Sequence, residues 1–268
     1  MNVLKQVVKM ALSQTFLAGR DKRYIFLYHD ISDPGSAQYS PLHSTPVPRF
    51  HEQIEFLTKH FRIVSVEEIV SGNFDSKIPV ASVTFDDGFF SVTEHAFPYL
   101  SAKGIPFAVF VNKMAIKHNR LSNSPEESPV EKNLPNKVFL DENDIKYLFE
   151  KGVIIGSHSS THKVLAQCDD GELRKEVLDN KLYIEGVLGK PVKHMALPFG
   201  KREHYNEHVL EYCYSVGHDY LYSTNPTFFC SANPPYSRRP IPRIPFLNES
   251  KEEMLFYINR PLFKKINI

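Results

Sequence analysis

Val80-Ala81-Ser82-Val83-Thr84-Phe85-Asp86-Asp87-Gly88 reads as an apolar strand that runs straight into two adjacent carboxylates. An aspartate followed by glycine at a strand end is ordinary turn chemistry. That accounts for one aspartate and for Gly88, but not for a pair behind a buried strand. Two ionised carboxylates so placed repel each other and are costly to bury unless a cation compensates them.

The pattern recurs along the chain. Tyr24-Ile25-Phe26-Leu27-Tyr28 is rich in aromatic and β-branched residues and runs into His29 and Asp30. The strand expected over 153–156 leads to His158, and that over 194–197 ends at Pro198-Phe199-Gly200. Further strands are expected over 107–111 and 220–223. Helical stretches lie between them. Phe50, Ile54 and Leu57 mark one apolar face in 50–60. Helices are also expected over 91–103 (where Pro98 should kink or divide it), 141–151 from an Asp cap, 170–188 up to Gly189, 205–216 and 251–259. The segment 116–140 shows no period and reads as a long loop. Strand–helix alternation predicts parallel strands with crossover helices, and near-continuous apolar strands predict a sheet covered on both faces or closed on itself. In a parallel barrel all these strand ends share one rim, where such enzymes place their sites.

The bulk numbers suit a globular protein. The 268 residues are 42% hydrophobic and 24% charged, with a net charge of +1, so no electrostatic footprint for nucleic acid is present. Cys168, Cys213 and Cys230 form no C-x-x-C pair and suggest neither a disulfide framework nor a cysteine zinc site. The run from Met10 to Ala18 is interrupted by Ser13, Gln14 and Thr15, a poor signal core and too short to span a bilayer. An amphipathic first helix, packed on a neighbour or resting peripherally on a membrane, fits it. The expectation is a cytoplasmic protein with one domain over 1–268 and a core of about 24–246.

His158-Ser159-Ser160-Thr161-His162 places two imidazoles four residues apart, able to meet one metal from a helix turn or a tight loop. One carboxylate of the Asp86–Asp87 pair with two neutral imidazoles makes the open three-ligand set of a catalytic divalent site. The other carboxylate is then free to act as a general base. Amide hydrolysis also needs a proton for the leaving amine, and His29 is the candidate acid on the same rim. The Phe199 backbone N–H can face a developing oxyanion. Arg243, between apolar residues in Arg238-Arg239-Pro240-Ile241-Pro242-Arg243-Ile244-Pro245, is expected to point inward and pair with Asp86, whereas Arg238 and Arg239 read as a surface cluster.

These motifs resemble those of the polysaccharide deacetylases. Thr84-Phe85-Asp86-Asp87-Gly88 is similar to the family's first motif, in which the first Asp is the catalytic base and the second a metal ligand. His158-Ser159-Ser160-Thr161-His162 is similar to the second, whose two histidines bind the metal, and Leu197-Pro198-Phe199-Gly200 to the third, which lines the groove and supplies the oxyanion N–H. Two departures stand out. Met195 and Ala196 occupy the place where an arginine commonly precedes the third motif, and no leucine–histidine motif occurs in the C-terminal third. Both fit the permuted branch that resembles the poly-N-acetylglucosamine deacetylases, where the acid histidine comes early in a Tyr-His-Asp sequence, as in Tyr28-His29-Asp30.

The resemblance implies an α/β fold, a distorted, incomplete (β/α) barrel, and a metal-dependent hydrolase that removes an N-acetyl group from an amino sugar in a glycan or glycan precursor. Asp87, His158 and His162 would hold the ion, zinc by default, with nickel, cobalt or iron also suited to this donor set. Asp86, His29, Phe199 and Arg243 would serve the chemistry. The partner expected is an N-acetylated sugar or oligosaccharide; without an export signal, a lipid- or nucleotide-linked precursor is an open option. Two other readings are a sugar-binding protein that kept the fold without catalysis, and a hydrolase of small cyclic amides.

Overall fold

The computed structural model describes residues 22–72, 74, 78–119, 137–229 and 238–265, so the first-helix expectation and most of the long loop fall outside them. The described chain starts with β1 (Arg23–Tyr28), β2 (Asp30–Ile31), β3 (Ser44–Thr45), α1 (Val47–His60), β4 (Arg62–Ile63), α2 (Val66–Ser71) and β5 (Val80–Phe85). A π-helical turn, Val92–Ala96, leads into α3 (Phe97–Ala102), then β6 (Phe107–Val111) and α4 (Lys113–His118). Next come α5 (Glu142–Glu150), β7 (Ile154–Ser157), α6 (Asp170–Leu173), a second π turn (Arg174–Leu178), α7 (Asp179–Leu188) and β8 (His194–Ala196). The chain ends with α8 (Glu207–Ser215), β9 (Tyr220–Tyr222), β10 (Ile244–Pro245) and α9 (Lys251–Lys265).

All pairings in the main sheet are parallel, in the order β10-β1-β5-β6-β7-β8-β9, with β4 also beside β5. β4 takes the start of β5's free edge, at Val80 and Ala81, and β6 takes its end from Val83 onward. The sheet curls until the segment around Ile241 bridges Tyr222 of β9 while β10 pairs with β1 through Phe26 and Ile244. Among the described residues the β9–β10 seam is held by one bridge and a two-residue strand rather than a full ladder. This is the distorted, incomplete (β/α) barrel that the motifs implied, and Arg243 lies in its seam.

The period of two along each strand divides the core into layers. Tyr24, Phe26 and Tyr28 of β1 pack outward with Phe50, Ile54 and Leu57 of α1, while Ile25 joins Val80, Phe110, Ala196 and Tyr222 inside the barrel. On β5, Ala81, Val83 and Phe85 pack outward, so Ser82 and Thr84 face in. Asp86 continues that inward row. Gly156 on β7 is required by packing: a Cβ there would lie 2.5 Å from the Phe110 ring.

The structure modifies several sequence expectations. The helix expected over 91–103 is divided at Phe97, with Pro98 in the first turn of α3 where its missing N–H costs nothing. The helix expected over 170–188 is interrupted by the π turn, although it ends at Gly189 in the left-handed conformation as predicted. The helix expected over 205–216 begins only after its Asn206 cap, because that side chain accepts from the Val209 N–H. The loop expected over 116–140 starts inside α4, and Phe139 pairs back onto Phe89. No helix among the described residues is long and apolar enough to cross a membrane.

Candidate metal and active site

Asp86 and Asp87 leave β5 where His29 leaves β1. Tyr28 and Phe85 are register partners, and the Asp86 N–H donates to the Tyr28 carbonyl at 2.9 Å. His158 leaves β7 and donates its backbone N–H to the Val111 carbonyl of β6 at 3.0 Å. The structure therefore brings both sequence pairs to one rim. Its backbone is strained: of six non-glycine residues with positive φ among those described, Asp87, Ser159, His162 and Phe199 all belong here.

Asp86 and Asp87 do different things. Asp86 is grasped by Arg243 in a bidentate pair, with Nη1 to Oδ1 and Nη2 to Oδ2 both at 2.7 Å. Burial pushes the Asp86 carboxyl up. The Arg243 charge, His158 and the guanidinium bonds outweigh that and hold it down at about 2. Arg243 is itself fully buried, donates Nε to the Ser223 carbonyl at 3.3 Å, and lies over the rings of Phe110 and Tyr222 at 5.3 and 5.9 Å. Asp86 Oδ2 also lies 3.7 Å from His158 Nε2, but Asp87 has no such arginine among the described residues. Its buried Oδ1 has no hydrogen-bond partner among the described residues and lies 3.4 Å from His158 Nε2 and 3.7 Å from His162 Nε2.

The tautomer of His158 makes this contact telling. Its Nδ1 lies 2.9 Å from the Ala196 carbonyl, which can only accept, so Nδ1 carries the proton. In the neutral ring Nε2 is then a lone pair facing a carboxylate lone pair. Burial drives the His162 imidazole down to about 4, against the pull of Asp87, so this ring is neutral at pH 7. One potential ligand atom each from Asp87, His158 and His162 all lie within 4.8 Å of one another. Ligands about 2.0–2.1 Å from one tetrahedral ion would lie roughly 3.3 Å apart, close to the distances found. The donor set fits a divalent ion.

His29 follows β1 and is half-buried; its Nδ1 has no partner among the described residues, and its ring lies within electrostatic reach of Asp86 and His162. Asp30 has a different environment. It is fully buried and accepts from Ser32, from Ser44 and Ser91 at 2.6 and 2.7 Å, and from Gln38 at 3.3 Å, tying the His29 segment to the one after Asp87. Phe199, φ 59, is 44% exposed, and its ring lies edge-on to His162 at 4.5 Å. Its carbonyl accepts from Thr224 Oγ1 at 2.7 Å, while its N–H donates to no described acceptor.

Several residues of the site carried no sequence signal. The buried Glu176, on the second π turn, accepts the Thr161 N–H at 2.8 Å and the Thr161 hydroxyl, and its carbonyl accepts the Ser160 N–H at 2.9 Å. Asn112 donates to the His158 and Ser159 carbonyls, and Asn180 donates to the Val111 carbonyl and Ser157 Oγ. Together they clamp the loop between the two histidines. The wider π turn, a frequent feature of functional sites, falls where Glu176 meets that loop. His43 stacks on Phe89 at 5.1 Å and faces Asp30, Asp87 and His29.

The family model for polysaccharide deacetylase matches residues 75–221, which contain both the carboxylate pair and the histidine loop. The chain belongs to the polysaccharide deacetylase family. Its sequence is 22% identical over 206 residues to YxkH of Bacillus subtilis (strain 168), a match covering 75% of this chain and 64% of that protein's length. In fold, this deacetylase-family chain is similar to the Streptococcus pyogenes deacetylase PplD, solved with acetate, at a TM-score of 0.70 and 21% identity, covering 90% of this chain and 99% of the other. It is also similar to IcaB from Ammonifex degensii, at a TM-score of 0.67 and 20% identity, covering 88% and 97%.

Proposed function

We propose that the protein is a metal-dependent N-deacetylase that hydrolyses the acetamide of an amino sugar in a glycan and releases acetate. The observation that carries this reading is the cluster of Asp87 Oδ1, His158 Nε2 and His162 Nε2, closing on one point beside a separately neutralised carboxylate, Asp86. Family membership supplies the substrate class. PplD, solved with acetate, supports the product.

Asp87, His158 and His162 would hold the ion, zinc by default from one carboxylate and two imidazoles. A divalent ion there supplies a Lewis acid for the acetyl carbonyl and raises the acidity of a water, which a carboxylate with a pKa of about 2 needs before it can take a proton. Asp86 is the base. Arg243 fixes both its oxygens, so the carboxylate is ionised and cannot rotate away. The Phe199 N–H, with no acceptor among the described residues, is the donor for the tetrahedral oxyanion, and such a donor contributes about 2.7–4 kcal/mol in comparable sites. His29 is the acid that protonates the departing amine. The Ala196 carbonyl and the Glu176 clamp keep the two metal-facing imidazoles aimed before any ligand arrives.

The test is acetate release from N-acetylglucosamine oligosaccharides by protein stripped with chelator and then given zinc, cobalt or nickel. The reading expects acetate only after metal is restored. Acetate release that chelation leaves unchanged, or none with any of the three ions, overturns it.

A further inference from the structure

Phe199 and Gly200 are consecutive residues in the left-handed region, with φ 59 and 64. The pair is strained at Phe199, because a residue with a Cβ seldom adopts this conformation. Hydrogen bonds hold the turn in place. The Gly200 N–H donates to the Pro198 carbonyl at 2.6 Å. Two more bonds come from Thr224, just past the end of β9. Its hydroxyl donates to the Phe199 carbonyl at 2.7 Å, and its N–H donates to the Gly200 carbonyl at 2.9 Å. The approach is close enough to require glycine: a Cβ on Gly200 would lie 2.6 Å from the Thr224 nitrogen.

These bonds set the direction of the Phe199 N–H. A peptide unit is planar, so a bond that fixes its carbonyl also fixes its N–H. The plane that carries the Phe199 N–H also carries the Pro198 carbonyl, which is tied to the Gly200 N–H. The Gly200 N–H belongs to the next plane, and the Thr224 hydroxyl anchors that plane through the Phe199 carbonyl. Without the hydroxyl the second plane can rotate, draw its N–H off Pro198 and release the first. The bond between Thr224 and Phe199 lies at the surface, so water can replace the hydroxyl as donor. What is lost is aim rather than fold. The preceding residue has a parallel task. The Ser223 carbonyl accepts from Arg243 Nε at 3.3 Å, and Arg243 grips the base Asp86. Two consecutive residues after β9 thus reach both the base, through Arg243, and the oxyanion donor, through the Phe199 turn.

We infer that Thr224 is a positioning residue for the deacetylation, its hydroxyl holding the Phe199 turn so that the Phe199 N–H meets the oxyanion. The inference rests on the deacetylase reading. It gives the aim of the donor to a residue that touches neither the metal-facing trio nor Asp86.

The experiment compares wild type, Thr224→Val and Thr224→Ser as zinc-loaded whole chains, by acetate release from N-acetylglucosamine oligosaccharides and by crystal structure. Valine keeps the β-branched shape and the backbone bond to Gly200 but cannot donate, whereas serine keeps the hydroxyl. Thr224→Val should lower kcat about tenfold, part of the roughly 10²–10³ that outright loss of an oxyanion donor costs, while KM and zinc affinity stay within about twofold of wild type. Thr224→Ser should recover kcat to within about threefold of wild type. The Phe199 peptide should be rotated, or split between two orientations, in the valine variant and not in the serine variant. An unchanged kcat in the valine variant, an equal loss in the serine variant, or a fall in zinc affinity that matches the fall in kcat overturns the role. Failure of the deacetylase reading looks different: wild type then releases no acetate with zinc, cobalt or nickel. The crystal structures decide the Thr224 claim in that case. A rotated Phe199 peptide in the valine variant upholds the hold on the turn, and an unrotated one overturns it.

Discussion

The two halves of the site solve the same electrostatic problem in opposite ways. Asp86 and Asp87 are neighbours in sequence, and each is buried. Asp86 finds its counter-charge inside the protein, in an arginine from the barrel seam, through two bonds of 2.7 Å. Asp87 finds two imidazoles, and its Oδ1 has no hydrogen-bond partner among the described residues. The first corner is complete as it stands. The second is charge-deficient and geometrically set, which is what a site for a cation requires. A buried anion can thus be stabilised by the fold or left for a ligand, and adjacent residues take the two courses because successive side chains leave a strand end in different directions.

The largest consequence of that difference concerns substitutions. His158→Ala should abolish metal binding and lower acetate release on the order of a thousandfold, the rate equivalent of about 4 kcal/mol. Asp86→Asn should keep the metal while turnover falls by roughly 10²–10⁴. Metal content and kcat measured on both variants check the division of labour, and equal metal loss in the two would erase it.

Next in size is stability. Arg243→Met strands the Asp86 carboxylate in the barrel, and breaking a buried pair from one side costs about 3–5 kcal/mol. Urea unfolding of the metal-free protein should show that loss, and Asp86→Asn in the Arg243→Met background should recover a large part of it. His158→Ala should cost the metal-free protein much less, because that corner is not self-satisfied.

Glu176→Gln tests the clamp behind the histidine corner. The carboxylate meets the two Thr161 donors with separate oxygens, and an amide replaces one of those oxygens with an NH₂ that cannot accept. Zinc affinity should fall about tenfold, as for other groups that orient metal ligands, with the Asp86–Arg243 half untouched. Competitive chelator titration reads this out.

Much of the site was legible because its chemistry sits at strand ends. A buried strand followed by two aspartates, or by a histidine pair, is hard to explain as turn and surface alone. Arg243 was legible from its apolar flanks, and that same apolar run is what closes the barrel. Glu176, Asn112 and Asn180 were not. Each is one polar residue beside a helix or turn, indistinguishable from a cap or a solvated position until the fold brings the 158–162 loop against it. The π turn at Arg174–Leu178 hides for a related reason: one extra residue in a helix of this length leaves the apolar period almost unchanged. β4 and β10 are two residues long, below what periodicity can detect. Asp30 looked like chemistry by its position and proved to be a knot of hydroxyl bonds.

The smallest expected effect is with pH, in the metal-free protein. The folded-state pKa of His162 is depressed from 6.5 to about 4, so the unfolded chain binds more protons between those values. The contribution of His162 is present above pH 6.5 and is lost as pH falls through about 4. Asp86 is depressed from 3.8 to about 2, so its contribution is present above 3.8 and is lost only as pH falls through about 2. Unfolding free energy should therefore decline from pH 6.5 toward 4. His162→Gln should flatten part of that slope, and Asp86→Asn, which removes a charge that holds the His162 pKa up, should extend it to lower pH.

The most direct test is anomalous diffraction at the zinc edge from metal-loaded crystals of the whole chain. The account predicts one strong peak bounded by Asp87 Oδ1, His158 Nε2 and His162 Nε2, with Asp86 still paired to Arg243 and outside the ion's coordination. A peak elsewhere, or one at which Asp86 has left Arg243 to become a ligand, would contradict it.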